Sequence, residues 1–284
     1  MQDLVNGLVQ GSVYSLCGVG LVLIFSVVRI PNFAHGEAVM VGAMVPLILI
    51  GDHHVPLIAG LLAGVGAAIV LGAFLGFAVF GPLRRLPEVA LLIVSLALVV
   101  IIEALAVKFW GDAPRTTPGE PSGVLSFLGA RFTPIWAVIF VAAVGSAIGL
   151  EAYVRLTRSG RAMRAMALNP FAAMLMGIPV LRYQVLAFAV GSGLAGLAGT
   201  LYGLAFPVQS TMGALISLKS FIVIIFAGMG SITGALVGGL LLGIVESFGG
   251  TYISSGYRDT FGFLFLVAVL LLRPNGLFAR ANSA

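Results

Sequence analysis

The sequence predicts an all-α fold, a polytopic transmembrane helical bundle of about 8–9 spans with broken or re-entrant helices. Three observations carry this reading. The 284 residues are 60% hydrophobic and only 9% charged, with a mean hydropathy of +1.14, whereas a soluble domain has about a quarter of its residues charged. Apolar stretches run nearly end to end with short connections, which makes residues 1–284 one domain. Arginines gather in some connections and are balanced by acids in others, as the positive-inside rule requires of a membrane protein.

The spans follow in order as residues 4–28, 37–50 (short), 56–80, 88–109, 134–153, 183–206, 212–227, 233–248 and 260–272. The connection 155–182 holds Arg155, Arg158, Arg161, Arg164 and Arg182 with no acid between them, and is read as cytoplasmic. The connection 111–133 balances Asp112 and Glu120 against Arg115 and Arg131, and is read as the external loop. Threading the spans between them places Arg84, Arg85, Arg273 and Arg280 inside and the N-terminus outside.

Charge and cysteine content exclude several classes. A net charge of +5 and a pI near 9.8 follow from basic cytoplasmic loops, so no nucleic-acid partner is expected. Cys17, the single cysteine, lies inside an apolar span and offers neither a disulfide framework nor a metal site. The opening MQDLVNG has no basic residue ahead of its apolar run, so the first span is expected to stay in the mature protein.

Two short spans follow polar or glycine-rich breaks, RIPNFAHGE at 29–37 and AGMGSITG at 227–234. Gly/Ala-rich segments follow each, which hints at an internal repeat with unwound backbone lining a cavity. Asn32, His35 and Glu37 are costly against hydrocarbon and must face protein, water or the interface. They are either a polar lining or a cytoplasmic turn in which His35 and Glu37 cap the next helix, the second reading being favoured. Glu246 lies near the end of its span and is expected to reach interfacial water. Glu103 lies deeper, as a relay or, preferably, a hydrogen bond between helices. Glycine stripes such as Gly191, Ala195 and Gly199, or Gly234, Gly238 and Gly243, suit close helix packing in lipid.

No motor is legible in the chain. GALISLKS, at 213–220, ends in Lys219–Ser220 but lacks the glycine before the lysine that a phosphate-cradling loop needs. No metalloprotease or nucleophile-elbow motif is present. Energy for any transport must come from an ion gradient or another subunit.

The segment GRAMRAMALNPFAAMLMGIP, at 160–179, is the most informative stretch. Arg155, Arg158, Arg161 and Arg164 recur every third residue and predict one basic stripe. Asn169 is a good N-cap and Pro170 suits the first helical position. FAAMLMGI then reads as a two-turn helix presenting Phe171, Met174, Leu175 and Ile178, stopped by Gly177. A short amphipathic helix with adaptable methionines suits docking into a partner's groove more than lying on anionic lipid.

At these residues the chain resembles the permease subunit of a branched-chain amino acid ABC importer, the LivH-type inner-membrane family. The likeness spans nearly the whole length, through NGLVQGSVYSL, RIPNFAHGE, SGRAMRAMALNPFAAMLMGI, FAGMGSITGALVGGLLLGIVES and SSGYRDTFGFLFLVAVLLLRPNGLF. The resemblance implies a multi-pass protein of the bacterial inner membrane, not an enzyme. A second related permease subunit, two cytoplasmic ATPase subunits and a periplasmic substrate-binding protein would be its partners. No cofactor is bound by this chain, and ATP is used by the partner subunits. The segment 165–178 matches the coupling helix, with Arg161, Arg164, Ala165, Asn169, Pro170, Ala173, Met176, Gly177 and Ile178 as the coupling residues. Leu168–Asn169–Pro170 stand where the family often has a more acidic run, which leaves open which ATPase fits.

The zwitterionic head of a transported amino acid is expected at the broken-helix ends, near Asn32, Phe33, His35 and Glu37 and near Gly228, Gly230 and Ser231. Substrates in the family extend from Leu, Ile and Val to other amino acids, urea and short amides. From different classes, a gradient-driven secondary transporter would use Glu103 and Glu246 as coupling residues, and an intramembrane enzyme would use the His and Glu residues.

Overall fold

A computed structural model describes residues 1–29, 32–84, 86–117, 123, 125–127, 130–228 and 230–273. Arg85, Glu120, Arg280 and part of the RIPNFAHGE and AGMGSITG motifs lie outside the described residues. The helices are α1 (Gln2–Val28), α2 (His35–Gly51), α3 (Leu57–Phe74), a π-helical turn (Leu75–Val79), α4 (Phe80–Leu83), α5 (Glu88–Trp110) and α6 (Pro134–Leu156). They continue as α7 (Arg158–Leu168), α8 (Pro170–Leu175), α9 (Val180–Ala205), α10 (Met212–Ala227), α11 (Ile232–Tyr252) and α12 (Arg258–Leu272). Among the described residues the fold is all-α as expected, with one small antiparallel hairpin, β1 (Leu125–Phe127) with β2 (Ala130–Phe132), beside the helices.

Proline sets several helix starts. Pro56, Pro87 and Pro179 precede α3, α5 and α9, and Pro134 and Pro170 occupy the first turn of α6 and α8, where the missing N–H costs nothing. Pro46 inside α2 is the exception, and its ring lies against Gly64 of α3, where any side chain would collide with it. The span expected at 56–80 instead continues through the π-helical turn to Leu83. Wide helical turns leave backbone carbonyls short of partners, and the Gly76 carbonyl accepts a hydrogen bond from Gln184 Nε2 of α9.

Among the described residues, six helical segments are long and apolar enough to cross a membrane: Gln2–Val28, Leu57–Leu83, Glu88–Trp110, Pro134–Leu156, Val180–Ala205 and Ile232–Tyr252. α2 and α10 are shorter apolar helices. The chain is thus a polytopic helical membrane protein. Its distribution of apolar surface agrees: α1 is buried over most of its length, whereas α3, α5 and α6 expose Ile58, Val70, Val89, Val100, Val141 and Ile148. Soluble monomers do not present such broad apolar faces.

Glycines set the packing. α1 and α11 run antiparallel in near contact, Gly7 against Ile244, Gly11 against Leu240, and Ser15 Oγ donating to the Leu236 carbonyl at 2.7 Å. α9 meets α1 through Gly191 and Gly20, and meets α2 through Gly199 and Val39. The small residues of the sequence stripes therefore sit where backbones approach closely. One end of the bundle gathers the end of α1, α4, α7, α8 and the start of α9, since Arg29 Nη2 donates to the Ala167 carbonyl at 2.8 Å and Gly81 abuts Leu181. The opposite end holds the start of α1, the end of α11 joined by Thr251 Oγ1 to Asp3 Oδ1 at 3.0 Å, and a backbone bridge between Arg115 and Val208.

Candidate functional site

The segment between α6 and α9 is a folded handle. Thr157 is extended and caps α7, its Oγ1 accepting from Gly160 N at 2.9 Å while donating to the Tyr153 carbonyl at 2.7 Å. This break divides the expected basic stripe. Arg155 belongs to α6 and pairs with Glu151, Nε to Oε1, at 2.5 Å, whereas Arg158, Arg161 and Arg164 lie on α7. Met163 and Met166 on the other face of α7 enter the core with Val19 and Val22 of α1.

α8 is built as the sequence requires but is shorter. Asn169 Oδ1 accepts from the Phe171 and Ala172 amides, both at 3.0 Å, and Pro170 follows. The helix ends at Leu175, because Gly177 N–H turns back to the Met174 carbonyl at 3.0 Å and Ile178 N–H to the Ala173 carbonyl at 3.1 Å. This paired closure needs a left-handed residue, and Gly177 has φ +80°. Met176 caps the helix instead of extending it.

The predicted coupling residues divide by role. Ala165 and Ile178 are half-buried against the core, and Ala173 is 4% exposed within it. Arg161, Arg164, Asn169, Pro170, Met176 and Gly177 are exposed. Sequence reasoning did not place Leu168 on this surface, yet it stands exposed beside Phe171, Met174, Leu175 and Met176. Together they form an apolar tip on a rigidly capped turn.

The first break is not a solvent-facing turn. Asn32, His35 and Glu37 are all buried, and α2 starts from Ala34 with no side-chain cap, so the favoured reading of His35 and Glu37 as capping groups is corrected. Instead the turn is tied to α10: Gly36 N donates to Ser217 Oγ at 2.7 Å, Ser217 Oγ donates to the Phe33 carbonyl, and Phe33 stacks on Phe221 with centroids 4.3 Å apart. Asn32 Oδ1 accepts from Ala34 N at 3.1 Å, and His35 Nε2 lies 3.1 Å from the Cys17 carbonyl, midway along α1. Membrane-depth backbone of this kind is tolerated where protein covers it.

Two acids meet the first turn of α10. Glu103 Oε1 accepts from Ala214 N at 3.3 Å, which is the helix-joining role. The Glu37 carboxyl lies against Gly213 with neither oxygen hydrogen-bonded among the described residues. The second break lies elsewhere in depth. Gly228 and Gly230 have φ +82° and +106°, Ser231 Oγ caps α11 through Gly234 N at 3.0 Å, and Gly230 faces Ser26 near the handle end of α1.

A family model described as branched-chain amino acid transport system / permease component matches residues 4–272. The chain belongs to this family. It is 33% identical to the high-affinity branched-chain amino acid transport system permease protein BraD of Pseudomonas aeruginosa, covering 99% of this chain and 96% of that protein. Identity to the LivH permease protein of Escherichia coli K12 is 31% with the same coverage. A probable branched-chain amino acid transport permease LivH of Methanocaldococcus jannaschii is 26% identical over 96% of this chain and 90% of its own length. The permease is therefore a multi-pass transport subunit of an ABC system, not an enzyme, and the resemblance read from its motifs holds over the full length.

Sequence reasoning missed a heavily bonded polar group in the permease. Lys219 of α10, noted only as part of a failed phosphate-loop match, is buried and bonded to Glu246, Asp259 and Tyr14. Glu246 is 0% exposed, so its expected reach to interfacial water is corrected. A lone lysine in an apolar span, with a lone acid in another, was the available signal.

Proposed function

We propose that the permease imports amino acids, the branched-chain ones foremost, across the bacterial inner membrane as part of an ATP-driven assembly. Its partners are a second related permease subunit, two cytoplasmic ATPases that consume the ATP, and a periplasmic binding protein that delivers substrate. The handle end is cytoplasmic and the 111–133 end periplasmic. α2, α10 and α12 complete the passage with their neighbours, which brings the number of spans to about nine.

One observation carries this reading: the exposed apolar tip of Leu168, Phe171, Met174, Leu175 and Met176 on a doubly capped turn. An apolar helix face of this kind is what a partner's groove receives. Displacement of the tip passes to the spans through rigid links, the Met163 and Met166 contacts with α1 and the Arg29 bond to Ala167. Arg161 and Arg164 flank the tip and steer acidic partner surface. The buried turn at Asn32, Phe33, His35 and Glu37, with Gly228, Gly230 and Ser231 nearer the inner end, provides polar groups along the passage of a zwitterion. Glu37, whose carboxyl lacks a partner among the described residues, is the acceptor for its ammonium group.

The test is co-purification. Leu175→Asp and Phe171→Asp alter exposed positions, so the protein should insert normally while the ATPase subunits are lost from the detergent-extracted complex and uptake stops. Retention of ATPases and of uptake by both variants would overturn the coupling assignment.

A further inference from the structure

At the end opposite the handle, a cavity of about 340 Å³ opens between α1, α6, α11 and α12. Its lining includes Asn6 and Gln10 of α1, Trp136 of α6, Phe206 after α9, Thr251 of α11 and Arg258 of α12. That volume is within the range of small-molecule sites.

The charge in the cavity is one-sided. Among the described residues, Arg258 is the lone charged one in the lining. Nearby acids have partners: Asp259 Oδ1 accepts from Lys219 Nζ at 2.7 Å, the Glu246 carboxylate is held by Lys219 and Tyr14, and Asp3 Oδ1 accepts from Thr251 of the lining at 3.0 Å. Among the described residues the Arg258 side chain makes one hydrogen bond, a long one from Nη2 to Gln10 Oε1 at 3.4 Å, and its buried Nε has no partner. A guanidinium whose fork is mostly unused is a ready site for a carboxylate or phosphate, which it binds through paired N–H groups. Ser247 and Thr251 already donate to Asp3, at 2.7 and 3.0 Å, which leaves the Asn6 amide as a second donor for an anion. Half-buried Trp136 and Phe206 supply an apolar wall beside this polar floor.

We propose that this cavity seats an anionic head group bearing an apolar tail, with Arg258 as its main anchor. Two sources have that chemistry, the carboxylate of an entering amino acid and the phosphodiester of a lipid. The carboxylate source rests on the import reading above, whereas the cavity's preference for an anion does not. The floor of the cavity is continuous with the buried charges: Gln10 Nε2 donates to Tyr14 OH at 2.9 Å, and Tyr14 OH donates to Glu246 Oε2 at 2.9 Å. An occupant that draws Arg258 away from Gln10 therefore acts on a hydrogen-bonded chain ending at Lys219.

The experiment uses the assembled transporter labelled with 5-fluorotryptophan in phosphatidylcholine nanodiscs, with the cavity resonance identified by its absence from Trp136→Phe. L-leucine and dihexanoylphosphatidylglycerol are titrated separately. The proposal expects a saturable shift of the Trp136 fluorine signal with at least one of them. Leucine would identify the carboxylate source and the phosphatidylglycerol the lipid source. In Arg258→Gln the midpoint should rise about tenfold or more, the loss of one charge-assisted contact, and Arg258→Lys should retain part of the affinity. Asn6→Ala, which leaves Arg258 in place, should raise it less. Absence of a saturable shift with either titrant, or midpoints unchanged in the Arg258 and Asn6 variants, would overturn the proposal. ATPase co-purification is independent of this result, so the two readings fail separately.

Discussion

The ammonium of Lys219 lies 2.7 Å from Glu246 Oε2, and the pair joins the midlength of α10 to α11. Tyr14 of α1 and Asp259 of α12 complete its shell at 2.9 and 2.7 Å, so four helices converge on one cation. A buried ion pair persists when its remaining donors and acceptors are satisfied, and here each lysine proton has an oxygen within reach. Removing one partner leaves the other charge buried.

Lys219→Met should therefore cost more than Lys219→Met combined with Glu246→Gln. Breaking such a pair typically costs about 3–5 kcal/mol in soluble proteins, and contacts within membranes average less, about 0.6 kcal/mol. Thermal unfolding of the four detergent-purified species in a double-mutant cycle should give a coupling of at least about 1 kcal/mol. Additive effects would show that the two residues act independently.

Ala173 and Leu175 are two residues apart and should fail differently. Ala173 is 4% exposed and Leu175 70%. Ala173→Asp buries a charge in the core and should lower the amount of protein in the membrane. Leu175→Asp should leave that amount unchanged while releasing the ATPases. Quantitative blotting of membranes alongside co-purification separates the two outcomes.

Close packing should make Gly36 intolerant where Gly145 is permissive. A Cβ on Gly36 would strike the Gly213 carbonyl and Ser217, whereas one on Gly145 meets nothing within 4 Å. Gly36→Ala should destabilise by about 1–3 kcal/mol through overpacking. Gly145→Ala should be neutral or stabilise by up to about 1 kcal/mol through helix propensity. Equal melting temperatures for the two variants would contradict the helix contact.

Glu103→Gln keeps a carbonyl oxygen to accept from Ala214 N, so the α5–α10 bond should survive. ATP-dependent accumulation is expected to persist near the unmodified level. Loss of accumulation with normal ATPase association would instead reinstate a proton-coupled role for this acid.

Asn169→Ala removes the oxygen that serves two amides and should loosen α8 by about 1 kcal/mol. Faster hydrogen exchange across residues 171–175, with α7 unchanged, is the expected reading.

Much of the permease was legible in its sequence, and for identifiable reasons. Lipid imposes long apolar runs, so each of the six helices long and apolar enough to cross a membrane coincides with a stretch read from local composition. Arg155 to Arg182 without acids singled out the connection that folds into α7 and α8. Asn169, Pro170 and Gly177 prescribed the turn of α8 because caps and left-handed residues act within a few positions of the chain. The family likeness resided in such local motifs too.

Other features depended on residues far apart in the chain. His35 and Glu37 read more readily as capping groups than as buried ones, since their burial depends on α10 arriving nearly two hundred positions later. Ala173 looked like surface because its neighbours are, but the helical turn rotates it inward. Lys219 acquired a role once Glu246, Asp259 and Tyr14 were brought around it, and Arg258 once α1, α6, α11 and α12 enclosed a cavity. Hydrophobicity and capping are written along the chain, whereas the partner of a buried charge is determined by which helices meet.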